Sequence, residues 1–117
     1  MRMWMIPPQW MCIRHLLGEH GEIHKNRHNF EKQHSITGRV KPEVQIEPMA
    51  MQSRHDQLEG EIRRRNPSST CNSPYTMPDL SYLPDHERNA QVDTSHSLCT
   101  LMNRCEDCNA TYMEAIR

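Results

Sequence analysis

The shortage of large aliphatic side chains constrains the fold of this chain more than any other feature of its sequence. Leu, Ile, Val and Phe together supply only 18 of the 117 residues, and there is a single Phe. Nine Met and two Trp enlarge the apolar supply, and the net charge of −1 is too small to favour disorder. We therefore expect a small all-α fold: one domain over residues 1–117, with three helices, an extended N-terminal arm and irregular connectors.

The spacing of apolar residues predicts where the first helix lies. The pattern runs from about 9 to 33 after an arm interrupted by prolines, so the arm and first helix together occupy 1–34. Gly18 and Gly21 fall inside this helix and indicate a close approach of the arm. The helical stripe comprises Trp10, Ile13, Leu17, His20, His24 and Arg27, with Leu16, Ile23 and Phe30 beside it.

A second helix is predicted over about 48–65. Pro48 suits its first turn, Ser53 with an acidic third position offers an N-cap, and a basic triplet, Arg63-Arg64-Arg65, complements the helix dipole at its end. The preceding residues, from 35 to 48, are expected to form a loop with extended character. Alternating apolar residues in that loop fit a short strand; they are Val40, Val44 and Ile46.

The second half of the chain is poorer in pattern. A Pro-rich connector without regular structure is expected over 66–84, and a third helix over about 94–104 precedes a tail with no clear periodicity. No apolar run is long enough to span a membrane, and no signal peptide is recognisable. Five Cys without a secretory signal favour a reducing cytosol, with the cysteines as free thiols or metal ligands.

Charge is distributed unevenly along the chain. Residues 1–65 hold 11 Lys or Arg and 8 Asp or Glu, a net charge of +3. Residues 66–117 hold 3 and 7, a net charge of −4. Such asymmetry is typical of a nucleic-acid face on one half of a protein, although an ordinary mixed surface gives the same count.

The start of the chain offers an amine and a carboxylate suited to imine chemistry on a sugar. An α-amine titrates near ~7.7–8.0 and a lysine near ~10.4, so the amine of Met1 is already partly the neutral nucleophile at neutral pH. Arg2 follows it, the pair His15-Leu16 lies on the predicted first helix, and Glu22 lies two turns further on. Glu22 is a candidate general acid/base.

This spacing of the amine, Arg2, His15-Leu16 and Glu22 resembles the phage-type pyrimidine-dimer DNA glycosylase/AP lyases, the endonuclease V family of DNA repair. The resemblance covers roughly residues 1–40, with a weaker echo over 53–65. It implies that Met1 attacks the anomeric carbon of a damaged nucleotide in duplex DNA, most often at a pyrimidine dimer, and that Glu22 assists β-elimination. This chemistry requires no metal or organic cofactor, and we expect the protein to be a monomer.

The same resemblance, together with charge, selects six residues for contact with DNA. They are Arg2, Arg14, His15, Lys25, Arg27 and Arg39. Two positions depart from the family pattern, because Gly21 and Lys25 stand where a family member has arginines. One alternative is therefore an AP lyase or a DNA-binding relative that has no activity on dimers.

Metal binding offers an alternative of a different class. His20, His24 and His28 share one helix face, but we interpret them as a solvated or DNA-facing stripe because three His of one straight helix span too far for one tetrahedral ion. His96-x-x-Cys99 and Cys105-x-x-Cys108 have zinc-like spacing and predict a non-enzymatic, zinc-stapled interaction module if all four meet. A helix through these residues would separate the two pairs, so free thiols are the preferred interpretation.

Overall fold

A computed structural model describes residues 2–69, 71 and 74–117, and in these ranges the chain is helical and contains no β-strand. The all-α class is confirmed. The described helices are α1 (Ile13–Glu31), α2 (Thr37–Val40), α3 (Met51–Arg65), α4 (Asp85–Arg88), α5 (Thr94–Arg104) and α6 (Glu106–Ala115), and 3-10 turns lie at Pro8–Trp10 and Pro48–Ala50. The three predicted helices correspond to α1, α3 and α5.

Helix α1 begins at Ile13, four residues later than the periodicity predicted. Pro8 starts a separate 3-10 turn, and Met11 and Cys12 are then extended, so the chain changes direction before α1. The buried face of α1 is formed by the row of residues beside the predicted stripe, because α3 packs against that row. Ile13 and Leu17, which belong to the predicted stripe, are 42% and 51% exposed. The buried residues of α1 are Leu16, Glu19, Ile23, Asn26 and Phe30.

Helix α3 packs along α1 and continues directly from the 3-10 turn Pro48–Ala50. The predicted N-cap is wrong: the helix starts at Met51, and the Ser53 hydroxyl lies inside the first turn and donates to the Ala50 carbonyl. The basic triplet does occupy the last turn. Apolar burial between the two helices involves Leu58 and Ile62 of α3, which stabilises their pairing.

The N-terminal arm is buried rather than laid over the surface. Met3, Trp4 and Ile6 are all less than 9% exposed. The Met3 N–H donates to the Gln45 carbonyl at 2.7 Å, so the arm runs beside the extended segment that follows α2. The segment after α2, residues 41–47, does not form the strand that the alternation suggested, and Val40, at the start of that alternation, belongs to helix α2.

The C-terminal half packs helices onto this arm. Helix α5 has the predicted bounds and is capped by Asp93, whose carboxylate accepts from the His96 N–H at 3.1 Å. The tail is helical as α6, which packs against the turn Pro8–Trp10 through a Trp10–Tyr112 edge contact. None of the described helices combines the length and apolar character needed to cross a membrane.

Candidate functional site

An open cavity of about 570 Å³ lies where the arm meets α1. It brings together four residues that the sequence selected for chemistry or DNA contact: Arg2, Arg14, His15 and Glu22. His15 and Glu22 are two helical turns apart, so α1 presents both on one face. The full lining is Arg2, Trp4, Arg14, His15, Gly18, Glu19, Glu22, Gln45 and Arg104.

Glycine is not needed for the arm to approach α1. A Cβ at Gly18 or Gly21 would meet nothing within 4 Å. The expectation that these glycines make room for the arm is therefore wrong. Gly18 instead leaves the floor of the cavity open between His15 and Glu22.

Glu22 is the carboxylate in this cavity that remains available for chemistry. Its side chain is half-buried, and it makes no ion pair with any residue in the described ranges. Three arginines line the same cavity: Arg2, Arg14 and Arg104. The other carboxylate there, Glu19, is neutralised by a buried guanidinium. Two of these arginines are also paired, Arg2 with Glu43 and Arg14 with Asp107, so the lining offers guanidinium donors to a phosphate-bearing ligand rather than a large net charge.

The residue next to Met1 is held firmly. The Arg2 guanidinium is 2.7 Å from the Glu43 carboxylate and lies over the Trp4 ring at 5.2 Å. The hydrogen bond from Arg2 is the main cause that lowers the pKa of Glu43, and the neighbouring His96, 2.8 Å away, acts in the same direction. Met1 itself, the predicted nucleophile, lies outside the described residues.

A second cavity of about 520 Å³ adjoins the first and shares Glu22 with it. Lys25 and Arg39, both predicted to contact DNA, line this second cavity. Arg27 lines neither: it donates to the Thr76 carbonyl at 2.7 Å and forms an ion pair with Glu31. The structure therefore separates Arg27 from the other five predicted DNA contacts.

A buried ion pair that the sequence analysis did not identify joins α3 to α1 next to the cavity. Arg54 donates to both Glu19 oxygens, at 2.6 and 3.0 Å, and to the Ile6 carbonyl at 2.6 Å. Both side chains are at most 2% exposed. The sequence did contain a signal for this pair, because Glu19 and Arg54 are opposite charges that stand among the apolar residues of the buried faces of α1 and α3. Arg104 was missed because it lies in the acidic half of the chain.

Cysteine and histidine side chains form two clusters, and neither is the set predicted from spacing. Cys105 and Cys108 meet Cys12 and His15, all ligand atoms within 4.8 Å. His96 pairs with Glu43 and Cys99 is exposed on α5, so the predicted four-residue zinc module does not assemble. Burial, and secondarily Arg14, lowers the pKa of His15. The second cluster consists of His20, His24, His55 and Cys71.

Comparison with known proteins identifies the family. A sequence model of the family described as pyrimidine dimer DNA glycosylase matches residues 1–74. Neither the curated proteins nor the solved structures contain a significant match. The matched residues include the whole arm described here, α1 and α3, and with them Arg2 and Glu22. The chain belongs to the pyrimidine dimer DNA glycosylase family, a family of DNA-repair enzymes that act on damaged DNA.

Proposed function

We propose that this protein excises a base at a pyrimidine dimer in duplex DNA and then cleaves the abasic strand by β-elimination. The observation that carries the proposal is the convergence of Arg2 and Glu22 on one cavity that three arginines line. The nucleophile is the α-amine of Met1, and Glu22 is the general acid/base. The family match supports the glycosylase step.

The chemistry requires one amine and one carboxylate. The amine nitrogen bonds to C1′, the glycosidic bond breaks, and the base keeps the bonding electron pair, takes up a proton and stays linked to its partner base in the dimer. Glu22 assists opening of the sugar ring, which gives a protonated imine, and then removes a proton from C2′. Electrons move toward C3′, the bond to the 3′ phosphate breaks, and water finally hydrolyses the imine.

The amine of Met1 is favoured over lysine by position and by pKa. Arg2, to which Met1 is bonded, lines the cavity, and this position supports the assignment of the Met1 amine as the nucleophile. The competing amine is Lys25, which lines the adjoining cavity with Glu22. Unperturbed α-amines titrate near ~7.7–8.0 and unperturbed lysines near ~10.4, which favours an α-amine as the neutral nucleophile.

The flanking cations would hold the DNA backbone. Arg2, Arg14 and Arg104 line the first cavity, and Lys25 and Arg39 the second. These groups position the duplex by phosphate contacts, so binding weakens steeply with salt. His15 also lines the first cavity, and we propose that it contacts the DNA there. We further propose that the chain works as a single domain and a monomer in a reducing cytosol, consistent with the lack of a disulfide among the cysteines that the structure describes.

Borohydride trapping on abasic duplex DNA tests the mechanism. Reduction of the imine, digestion and mass spectrometry should locate the adduct on Met1, and Lys25→Arg should trap as well as the unaltered protein. N-terminal acetylation should abolish trapping and cleavage without unfolding the chain. An adduct on Lys25, or full activity after acetylation, contradicts the assignment of Met1.

A second candidate is an AP lyase that has lost activity on dimers. Gly21 favours it, because an exposed glycine directly before Glu22 offers no side chain to the DNA. Two duplexes separate the candidates: one contains a pyrimidine dimer and the other an abasic site. Cleavage of both supports the glycosylase, whereas cleavage of the abasic duplex alone supports the second candidate.

A further inference from the structure

The first cysteine–histidine cluster has the dimensions of a tetrahedral metal site. The Cys12 and Cys105 sulfurs are 3.8 Å apart. The His15 Nδ1 lies 3.3 Å from the Cys12 sulfur and 3.5 Å from that of Cys108. With Zn–S near 2.3 Å and Zn–N near 2.0–2.1 Å, tetrahedral geometry requires S···S of about 3.8 Å and S···N of about 3.6 Å. The three measured separations fit these edges.

The surroundings of this cluster suit thiolates. The Cys12 N–H donates to the Cys108 sulfur at 3.3 Å, and the Cys108 N–H donates to the Cys105 sulfur at 3.4 Å. The Arg14 guanidinium lies 3.8 Å from the Cys105 sulfur. Such outer hydrogen bonds orient the ligands of a metal and offset the charge of a three-thiolate site.

We propose that Cys12, His15, Cys105 and Cys108 bind a structural Zn²⁺. Three thiols give up their protons to solvent as three Zn–S bonds form, and no electron is transferred. All four coordination positions are filled by protein, and the three cysteines are buried, so the site is closed as in structural zinc centres. The ion joins the start of α1 to the junction of α5 and α6, beside the cavity that Arg14 and His15 line.

The second cluster carries a second zinc proposal on an independent observation. The His20 Nε2 is buried and has no hydrogen-bond partner in the described structure. Facing it, the His24 and His55 Nε2 atoms are 3.0 Å apart, and the Cys71 sulfur lies 3.5 and 3.6 Å from them. A bound cation gives this nitrogen a partner, and tetrahedral N···S edges near 3.6 Å match the cysteine distances.

The outer contacts of the second cluster also fit a metal. The Asp56 carboxylate is 2.9 Å from the His55 Nδ1, which leaves Nε2 to face the cluster, as carboxylates do behind zinc-bound histidines. His20 and His24 come from α1, His55 from α3, and Cys71 from the connector. Two histidines of one helix can therefore take part in a zinc site when a second helix supplies the third histidine. The spacing of the histidines in the sequence did not show this arrangement.

Zinc content of the full chain, purified without added metal, tests both sites independently of catalysis. Native and plasma mass spectrometry should find two zinc ions per chain. Cys105→Ser should lose one, whereas Cys99→Ser, which alters an exposed thiol, should keep both. His24→Asn should lose one, whereas His28→Asn, on the next turn, should keep both.

The outcomes separate the two proposals from each other and from the proposed function. Absence of zinc above the buffer blank overturns both, and an unchanged content in Cys105→Ser or His24→Asn overturns the corresponding site. A disulfide between Cys12 and Cys105 also overturns the first. Because these variants can fail to fold, X-ray absorption of the unaltered protein provides a second test. Sulfur neighbours near 2.3 Å and nitrogen near 2.0 Å are expected, and oxygen neighbours alone overturn the proposal.

Discussion

Residues 1–74, which match the family, and residues 75–117, which lie beyond the match, contribute to the cavity in different ways. The first part supplies Glu22 and most of the cationic lining, on helices paired by apolar burial. The second part contributes Arg104 and contacts the first through directed polar bonds: the Ser97 hydroxyl donates to the Trp4 carbonyl of the arm at 2.6 Å, and the Val92 N–H donates at 2.9 Å to Glu47, in the segment before α3. The candidate catalytic residue Glu22 thus lies in the family segment, and α5 contributes Arg104 to the cavity and the Ser97 bond to the arm.

The largest effect should come from the carboxylate of the first part. We expect Glu22→Gln to reduce cleavage of abasic DNA by about 10²–10⁴-fold, because a general acid/base is lost, with little change in DNA binding. Glu106→Gln, an exposed carboxylate of the second part, should be close to unaltered. Single-turnover cleavage and a binding titration measure both. Activity of Glu22→Gln within a few-fold of the unaltered protein would remove Glu22 from the mechanism.

The next largest effect concerns stability within the first part. Arg54→Met should cost about 3–5 kcal/mol of unfolding free energy, because Glu19 would remain buried and unpaired. Arg63→Met on the same helix breaks an exposed pair with Glu59 and should cost less than about 1 kcal/mol. Urea denaturation measures both. Adding Glu19→Leu to Arg54→Met should recover part of the loss; no recovery would mean that the bond to Ile6 dominates.

A smaller effect tests the joint between the two parts. Ser97→Ala removes the donor to Trp4 and leaves a buried carbonyl unpaired, at an expected cost of about 1–3 kcal/mol. Ser95→Ala changes an exposed hydroxyl of the same helix and should have almost no effect. Equal denaturation midpoints for the two variants would contradict the role assigned to this bond.

The smallest effect depends on pH. The pKa of Glu43 is lowered chiefly by its hydrogen bond from Arg2, so its ionised form stabilises the folded state. This contribution is fully present above the unfolded pKa of about 4.3 and is lost as pH falls through the lower folded value. Unfolding free energies of the unaltered protein and Glu43→Gln should therefore converge in acid. A difference in unfolding free energy between the two proteins that grows below a pH of about 4.3 would contradict the predicted direction of this effect.

The sequence predicted the elements that local rules control. Helix α5 has its predicted bounds, since apolar spacing and a capping Asp93 both act within a few residues. The family was recognised from the spacing of Arg2, His15 and Glu22, which the match over residues 1–74 confirms. The start of α1 was misplaced because the direction change at Met11 and Cys12 depends on contacts with the far end of the chain.

Long-range pairing accounts for what could not be predicted. Cys12 and Cys105 are 93 positions apart, so the short spacings that suggested His96 and Cys99 as partners were misleading. The ion pair of Arg54 with Glu19 joins two helices 35 positions apart and has no local signature. The cavity lining shows the same limit, because Arg104 reaches it only through the packing of α5.

The buried arm has a consequence for the order of assembly during synthesis. The Trp4 carbonyl is bonded to the Ser97 hydroxyl, which is synthesised 93 positions later. Other contacts of the arm, with Gln45 and Arg54, can form earlier, but this bond cannot form until α5 has emerged. Contacts of such large sequence separation slow folding, because a long loop must close before they form. The final placement of the arm beside the cavity is therefore a late step of folding.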